Sequence, residues 1–137
     1  MEYKALLTDL DGTLAKADLS VSERVRHAVT RLSEDLLVSI VSSRSHNFTI
    51  EFANLLNLDS LQISEGGARI FDPRQLKPIW LRSLEVVDAK LIMHFLESSG
   101  LAFSAVDGDD DVTTLNAVRT WCITRITATS LTAEEAK

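Results

Sequence analysis

The apolar run Ala5-Leu6-Leu7 stops at two carboxylates one residue apart, Asp9 and Asp11, followed by Gly12 and Thr13. The run reads as the end of a buried strand, expected over Lys4 to Thr8. Two neighbouring carboxylates cannot serve burial. They repel each other when ionised, and withdrawing them from water is costly unless a cation or hydrogen bonds compensate. A strand that closes on Asp-x-Asp-Gly-Thr therefore limits the fold to one that holds both acids accessible at a strand end. The plain alternative is a turn, since Asp and Gly dominate turns.

The rest of the first half alternates strand and helix. Ser20 and Glu23 have the spacing of a capping box, and Val21, Val25, Ala28, Val29 and Leu32 then recur as one helical stripe. Leu36 to Val41 reads as a second strand, apolar enough to be buried on both faces. The three elements make a βαβ unit, which implies parallel strands and a right-handed crossover. Ser45 is a candidate cap for a second helix, with Phe48, Phe52, Leu55 and Leu56 facing inward. Leu61 to Ser64 is a short third strand, and Gly66-Gly67 turns the chain into Ala68 to Phe71 as a hairpin. In open α/β sheets ligands bind beyond the carboxyl ends of the strands. Asp9, Ser42-Ser43-Arg44 and Glu65-Gly66-Gly67 all lie just past such ends. Parallel neighbours would bring them to one edge.

Composition narrows the alternatives. A chain of 137 residues is one ordinary domain, or one and part of another. At 45% hydrophobic it can form a real core. A net charge of -6 without a basic stripe argues against nucleic acid as the main partner. The single cysteine, Cys122, can form no internal disulfide and reads as a packed core thiol in a reducing compartment. No signal-peptide pattern and no membrane-length apolar run occur, so a soluble, cytoplasmic protein is expected. Of the three histidines, His27 and His94 fall inside expected helices, and His46, beside the Ser42–Arg44 segment, reads as a surface residue.

At a strand end, one carboxylate could attack phosphorus while the other handles a proton, with Mg²⁺ screening both. Asp9-Leu10-Asp11-Gly12-Thr13 resembles the first motif of the haloacid dehalogenase (HAD) superfamily of phosphatases. Ser42-Ser43-Arg44 resembles the second motif, often Thr-Gly-Arg in the Cof-type members (class IIB), with Ser43 standing for Gly. Glu65-Gly66-Gly67-Ala68, an apolar strand and Asp72 resemble the Cof-type Glu-Asn-Gly-Ala segment, with Gly66 where Asn is usual. The resemblance implies that Asp9 is the nucleophile and Asp11 the general acid and base. It also implies that Asp9 and the backbone carbonyl of Asp11 bind Mg²⁺, and that Thr13, Ser42, Ser43 and Arg44 bind phosphate. The implied substrate is a small phosphorylated metabolite such as a sugar phosphate.

The second half is less complete. Both prolines, Pro73 and Pro78, fall within Pro73 to Arg82, which reads as a linker. Leu84, Val87, Leu91, Phe95 and Leu96 give a helical stripe ending near Gly100. Leu101 to Val106 reads as a strand, Asp107 to Asp111 as an acidic turn, Val112 to Ala117 as a returning strand and Trp121 to Thr127 as another. This order resembles the start of a Cof-type α/β cap, a domain that excludes water and selects substrate. The expected fold is α/β: a Rossmann-like parallel βαβαβ core over residues 1–72, a linker over 73–83, and the beginning of an α+β cap over 84–137.

The third and fourth HAD motifs, a lysine and an acidic pair such as Gly-Asp-x-x-Asn-Asp, do not stand out. Lys4, Lys16, Lys77, Lys90 and Lys137 all lie outside a suitable strand. The run Asp107-Gly108-Asp109-Asp110-Asp111 carries carboxylates suited to Mg²⁺, but Val112 and Thr113 occupy the later acidic positions, so an acidic hairpin tip is the better reading. The simplest expectation is a chain shortened within its cap, with Thr132 to Lys137 as the start of a surface helix. Two functional classes follow: a Mg²⁺-dependent phosphatase working through an aspartyl-phosphate on Asp9, or a HAD-like domain that binds phosphate or a partner without turnover. A response-regulator receiver is disfavoured, because the third strand ends in Ser64-Glu65 with no Asp.

Overall fold

The computed structural model describes residues 3–75 and 77–129. They divide into two compact units, Met1–Leu81 and Arg82–Lys137. Thr132 to Lys137 lie outside the described residues.

The first unit runs β1 (Ala5–Asp9), α1 (Glu23–Ser33), β2 (Leu37–Val41), α2 (His46–Leu55), β3 (Gln62–Ser64), β4 (Arg69–Phe71) and β5 (Pro78–Leu81). These strands form one sheet in the order β1-β2-β3-β4-β5. The first three are parallel, and β4 and β5 add antiparallel. This is the expected Rossmann-like α/β arrangement with the Gly66-Gly67 hairpin in place. The 73–83 stretch, expected as a linker, instead holds β5, whose backbone extends the sheet.

Both crossovers run in the same direction across the sheet, so α1 and α2 cover one face. Val29, Phe52, Ala53 and Leu56 pack there on Val38 and Ile40 with Leu10 and Leu58. The other face carries Ala5 and Leu7 of β1 beside Leu37 and Ser39 of β2. Leu7 is 60% and Leu37 62% exposed, so the expected burial of β2 on both faces does not occur. The helix stripes are narrower than expected as well, because Ala28, Leu32 and Leu55 point away from the core. The N-cap of α1 is Ser22, whose hydroxyl accepts from the Val25 amide, and not Ser20, which is bonded to Asp18 instead.

The second unit runs α3 (Val86–Ser98), β6 (Phe103–Asp107), β7 (Asp110–Val112) and β8 (Ile123–Ala128), with an antiparallel sheet in the order β7-β6-β8. Ala89, Met93 and Leu96 of α3 pack on Phe103, Ala105, Val112 and Ile123. The expected inner stripe is corrected here. Val87, Leu91 and Phe95 are 77%, 70% and 62% exposed, and Leu84 precedes the helix. The returning strand is shorter than expected, since Leu115–Ala117 is a 3₁₀ turn. Cys122 is half-buried and not a core thiol. No helix among the described residues is long and apolar enough to cross a membrane.

Candidate active site at the ends of the parallel strands

The Asp9–Thr13 loop is built around Leu10. This side chain is fully buried, and its carbonyl accepts from the amides of Leu14 and Ala15 at 3.0 and 2.9 Å. Gly12 closes the turn by donating to the Ala15 carbonyl at 2.8 Å, with φ of +77°, a conformation that favours glycine. Sinking Leu10 leaves its two neighbours, Asp9 and Asp11, exposed. The Thr13 hydroxyl reaches the Asp9 carboxylate at 3.4 Å.

Asp11 is engaged from the next loop. Arg44 donates through Nη2 to Oδ1 at 2.8 Å and through Nε to Oδ2 at 3.1 Å, a bidentate pair. The bond to Asp11 pushes the Arg44 guanidinium above its ordinary pKa. The same guanidinium stacks over the Phe48 ring, 4.8 Å from its centre. Ser42 is buried; its hydroxyl accepts from the Arg44 amide at 3.1 Å, and its own amide donates to Ile63 at 3.0 Å. Ser43 is exposed.

The third loop laces onto the second. Glu65 donates its amide to the Arg44 carbonyl at 2.8 Å, and Gly66 donates to the Ser42 carbonyl at 3.1 Å. Register explains the meeting point: Asp9 lies opposite Val41, and Val41 opposite Ile63. The Asp9–Thr13, Ser42–Arg44 and Glu65–Gly67 segments therefore start from one sheet edge. In the described contacts, Asp11 meets Arg44, Arg44 meets Ser42, and Thr13 meets Asp9.

His46 corrects the sequence reading. It is buried, with its amide donating to Glu65 Oε1 at 3.1 Å and its ring Nδ1 3.3 Å from the same oxygen. Arg69, also buried, brings Nε within 3.4 Å of that oxygen. Sequence reasoning missed this cluster because its members lie on three elements and share no helical or strand period. The one available signal was a charged residue beside Gly66-Gly67, where a turn alone needs none.

In the acidic segment of the second unit, Asp107 holds the chain together. Asp107 is buried, and its carboxylate accepts from the amides of Arg119 (2.7 Å), Thr120 (2.9 Å) and Cys122 (3.0 Å) and from the Thr120 hydroxyl. Burial pushes Asp107 up, but the bonds from Thr120, Arg119 and Cys122 outweigh it and hold the carboxyl below the usual range. Asp111 lies 3.6 Å from Arg125 across the sheet. Among the described residues no three His, Cys, Asp or Glu side chains converge as a metal-binding group.

A family model described as haloacid dehalogenase-like hydrolase matches residues 6–135. No protein of curated function matches the chain. A haloacid dehalogenase-like hydrolase from Bacteroides thetaiotaomicron shares 23% identity at a TM-score of 0.73, covering 82% of this chain and 44% of that one. One from B. subtilis shares 26% identity at a TM-score of 0.72, covering 80% and 39%. A HAD subclass IIB sugar phosphatase shares 20% identity at a TM-score of 0.65, covering 80% and 43%. The chain thus spans less than half the length of these solved relatives.

Proposed function

This chain belongs to the haloacid dehalogenase-like hydrolases, and from that premise we propose that it carries the nucleophile-bearing part of a phosphatase acting on a small phosphorylated metabolite. The observation that supports this most is the convergence of Asp9, Asp11 and the Ser42–Arg44 loop on one sheet edge, joined by the Arg44–Asp11 pair.

Asp9 attacks phosphorus through a carboxylate oxygen, and the bond from phosphorus to the leaving oxygen breaks. Asp11 gives that oxygen its proton. Water then attacks the aspartyl-phosphate, Asp11 takes the water proton, and inorganic phosphate leaves with Asp9 regenerated. The Ser42 and Ser43 segment and the Thr13 hydroxyl supply donors for the phosphoryl oxygens. The Arg44 fork suits two phosphate oxygens as well as it suits a carboxylate. An entering phosphate and Asp11 thus compete for Arg44, and phosphate on Arg44 frees the acid for proton transfer.

Mg²⁺ fits the hard oxygen donors available, namely the exposed Asp9 carboxylate and the Asp11 carbonyl. When bound it would offset charge on the phosphoryl group. The described residues offer no third acid to complete such a site, which favours a second reading in which this chain by itself binds phosphate with little turnover.

The test is hydrolysis of an aryl phosphate with Mg²⁺, by this chain and by a longer protein that contains it, each with Asp9→Asn as control. The expected result is Asp9-dependent turnover in the longer protein and little in the chain alone, because electrostatic donors account for much of phosphoryl-transfer catalysis. Turnover in the longer protein that survives Asp9→Asn would remove Asp9 from the nucleophile's role.

A further inference from the structure

Helix α2 begins at His46, immediately after the Ser42–Arg44 loop, and its N-terminus is capped in an unusual way. Ser45 holds the N-cap position but makes no side-chain cap bond. The acceptor comes from the turn that follows β3: Glu65 Oε1 takes the His46 amide at 3.1 Å. A carboxylate at a helix N-terminus is favoured both by the orphan amides and by the helix dipole. Here it is fully buried, with Arg69 Nε at 3.4 Å as its counter-charge.

Two more observations single out Glu65. Its backbone takes φ of +56°, a left-handed conformation that strains a residue with a side chain, although Gly66 and Gly67 follow it. Such strain persists only where the surroundings hold it in place. The same residue also grips the loop through its backbone, donating to the Arg44 carbonyl, while Gly66 donates to that of Ser42. Main chain and side chain of one residue thus clasp the loop before α2 and the first amide within α2.

We infer that Glu65 is a positioning residue for phosphate: its buried carboxylate, by capping α2 across the sheet, sets the conformation in which the Ser42–Arg44 loop receives the anion. This rests on the phosphate-site reading of the previous section. A merely structural Glu65, present to neutralise the buried Arg69, would act through its charge. A positioning Glu65 acts through the reach of Oε1 to the His46 amide.

Two conservative variants separate charge from reach. Glu65→Gln loses the charge facing Arg69 but keeps an oxygen at the same reach. Glu65→Asp keeps the charge but withdraws the oxygen by about 1.5 Å, the length of one carbon–carbon bond. The probe is inorganic phosphate, titrated against the full chain while backbone amide signals are followed by NMR. Glu65→Asp should weaken phosphate binding about tenfold, and Glu65→Gln less than about threefold, even where Glu65→Gln is the less stable protein. Amide hydrogen exchange at His46 should quicken about tenfold in Glu65→Asp relative to Glu65→Gln.

Equal phosphate affinity in the two variants, or the reverse order, would overturn the inference, as would unchanged exchange at His46 in Glu65→Asp. Ser42→Ala keeps the two readings apart. If Ser42→Ala and the parent bind phosphate alike, or neither binds it, the loop is not the phosphate site and the earlier reading fails. Exchange at His46 still reports then whether Glu65 positions the loop.

Discussion

Replacing Asp107 tests most sharply what the acidic segment is for. Asp107→Ala removes an acceptor shared by three backbone amides and one hydroxyl at a position only 3% exposed. A hydrogen bond to a charged group contributes about 1.5–3 kcal/mol, and orphaning a buried donor costs a similar amount. The four bonds share one carboxylate and do not add, and water entering the vacated space recovers part of the loss. The expected destabilisation is therefore about 3–5 kcal/mol, comparable with all the stability a unit this small possesses. The assay is urea denaturation followed through Trp121, which lies inside the loop that Asp107 organises, in a Trp80→Phe background. The pH dependence carries the same information. The folded Asp107 pKa is depressed, so the unfolded state binds the proton more readily. Its contribution is fully present above the unfolded value of about 3.9 and is lost as pH falls through the folded value. Asp107→Asn should lack that acid-limb loss. A destabilisation below about 1 kcal/mol in Asp107→Ala would refute the structural assignment. So would Mg²⁺ raising the midpoint of the parent but not of the variant, since the segment would then be a cation site.

Two further outcomes follow from the geometry. Calorimetric titration of Mg²⁺ into this chain should show binding in about the millimolar range or weaker, because one carboxylate and one carbonyl are a small share of an octahedral shell; micromolar binding would mean that another acid reaches the metal. Leu7→Thr with Leu37→Thr should reduce binding of a hydrophobic dye while moving the unfolding midpoint by less than about 1 kcal/mol, since both side chains are more than half exposed; a larger loss of stability would show that this face is covered in solution.

The order of elements was legible because strands and helices carry different periods and because Gly and Ser mark their ends. Asp9, Ser42 and Glu65 could each be placed past a strand end from those periods, and they share one edge because β1, β2 and β3 are parallel neighbours. Burial was harder to read. Val87, Leu91 and Phe95 make a good helical stripe, yet Ala89, Met93 and Leu96 are the residues that pack. A helix apolar on two sides offers two candidate stripes, and only the position of the sheet chooses between them. Likewise Leu37 belongs to an apolar strand, and only the same-face crossovers show that, among the described residues of the first unit, α1 and α2 leave one side of β2 open.

The candidate site was legible to the extent that its signals are local. Asp9 and Asp11 announce themselves because two adjacent acids have no packing use, and Leu10 between them supplies the anchor that turns both outward. Arg44 bonding to Asp11 across 33 positions has no local signature; it follows only once β1 and β2 are known to be neighbours in register. Glu65 is further still from what a pattern can show. Its partners His46 and Arg69 lie on a helix and a hairpin strand, and its left-handed backbone contradicts the ordinary preference of glutamate. A residue that breaks a local rule must be held by contacts elsewhere, and here those contacts run to the loop that carries Ser42 and Arg44. That is the physical reason for ranking Glu65 above the more conspicuous acids of the second unit. Asp107 keeps an ordinary backbone and bonds one segment of its own unit, Arg119 to Cys122, whereas Glu65 takes a strained backbone to hold the loop before α2.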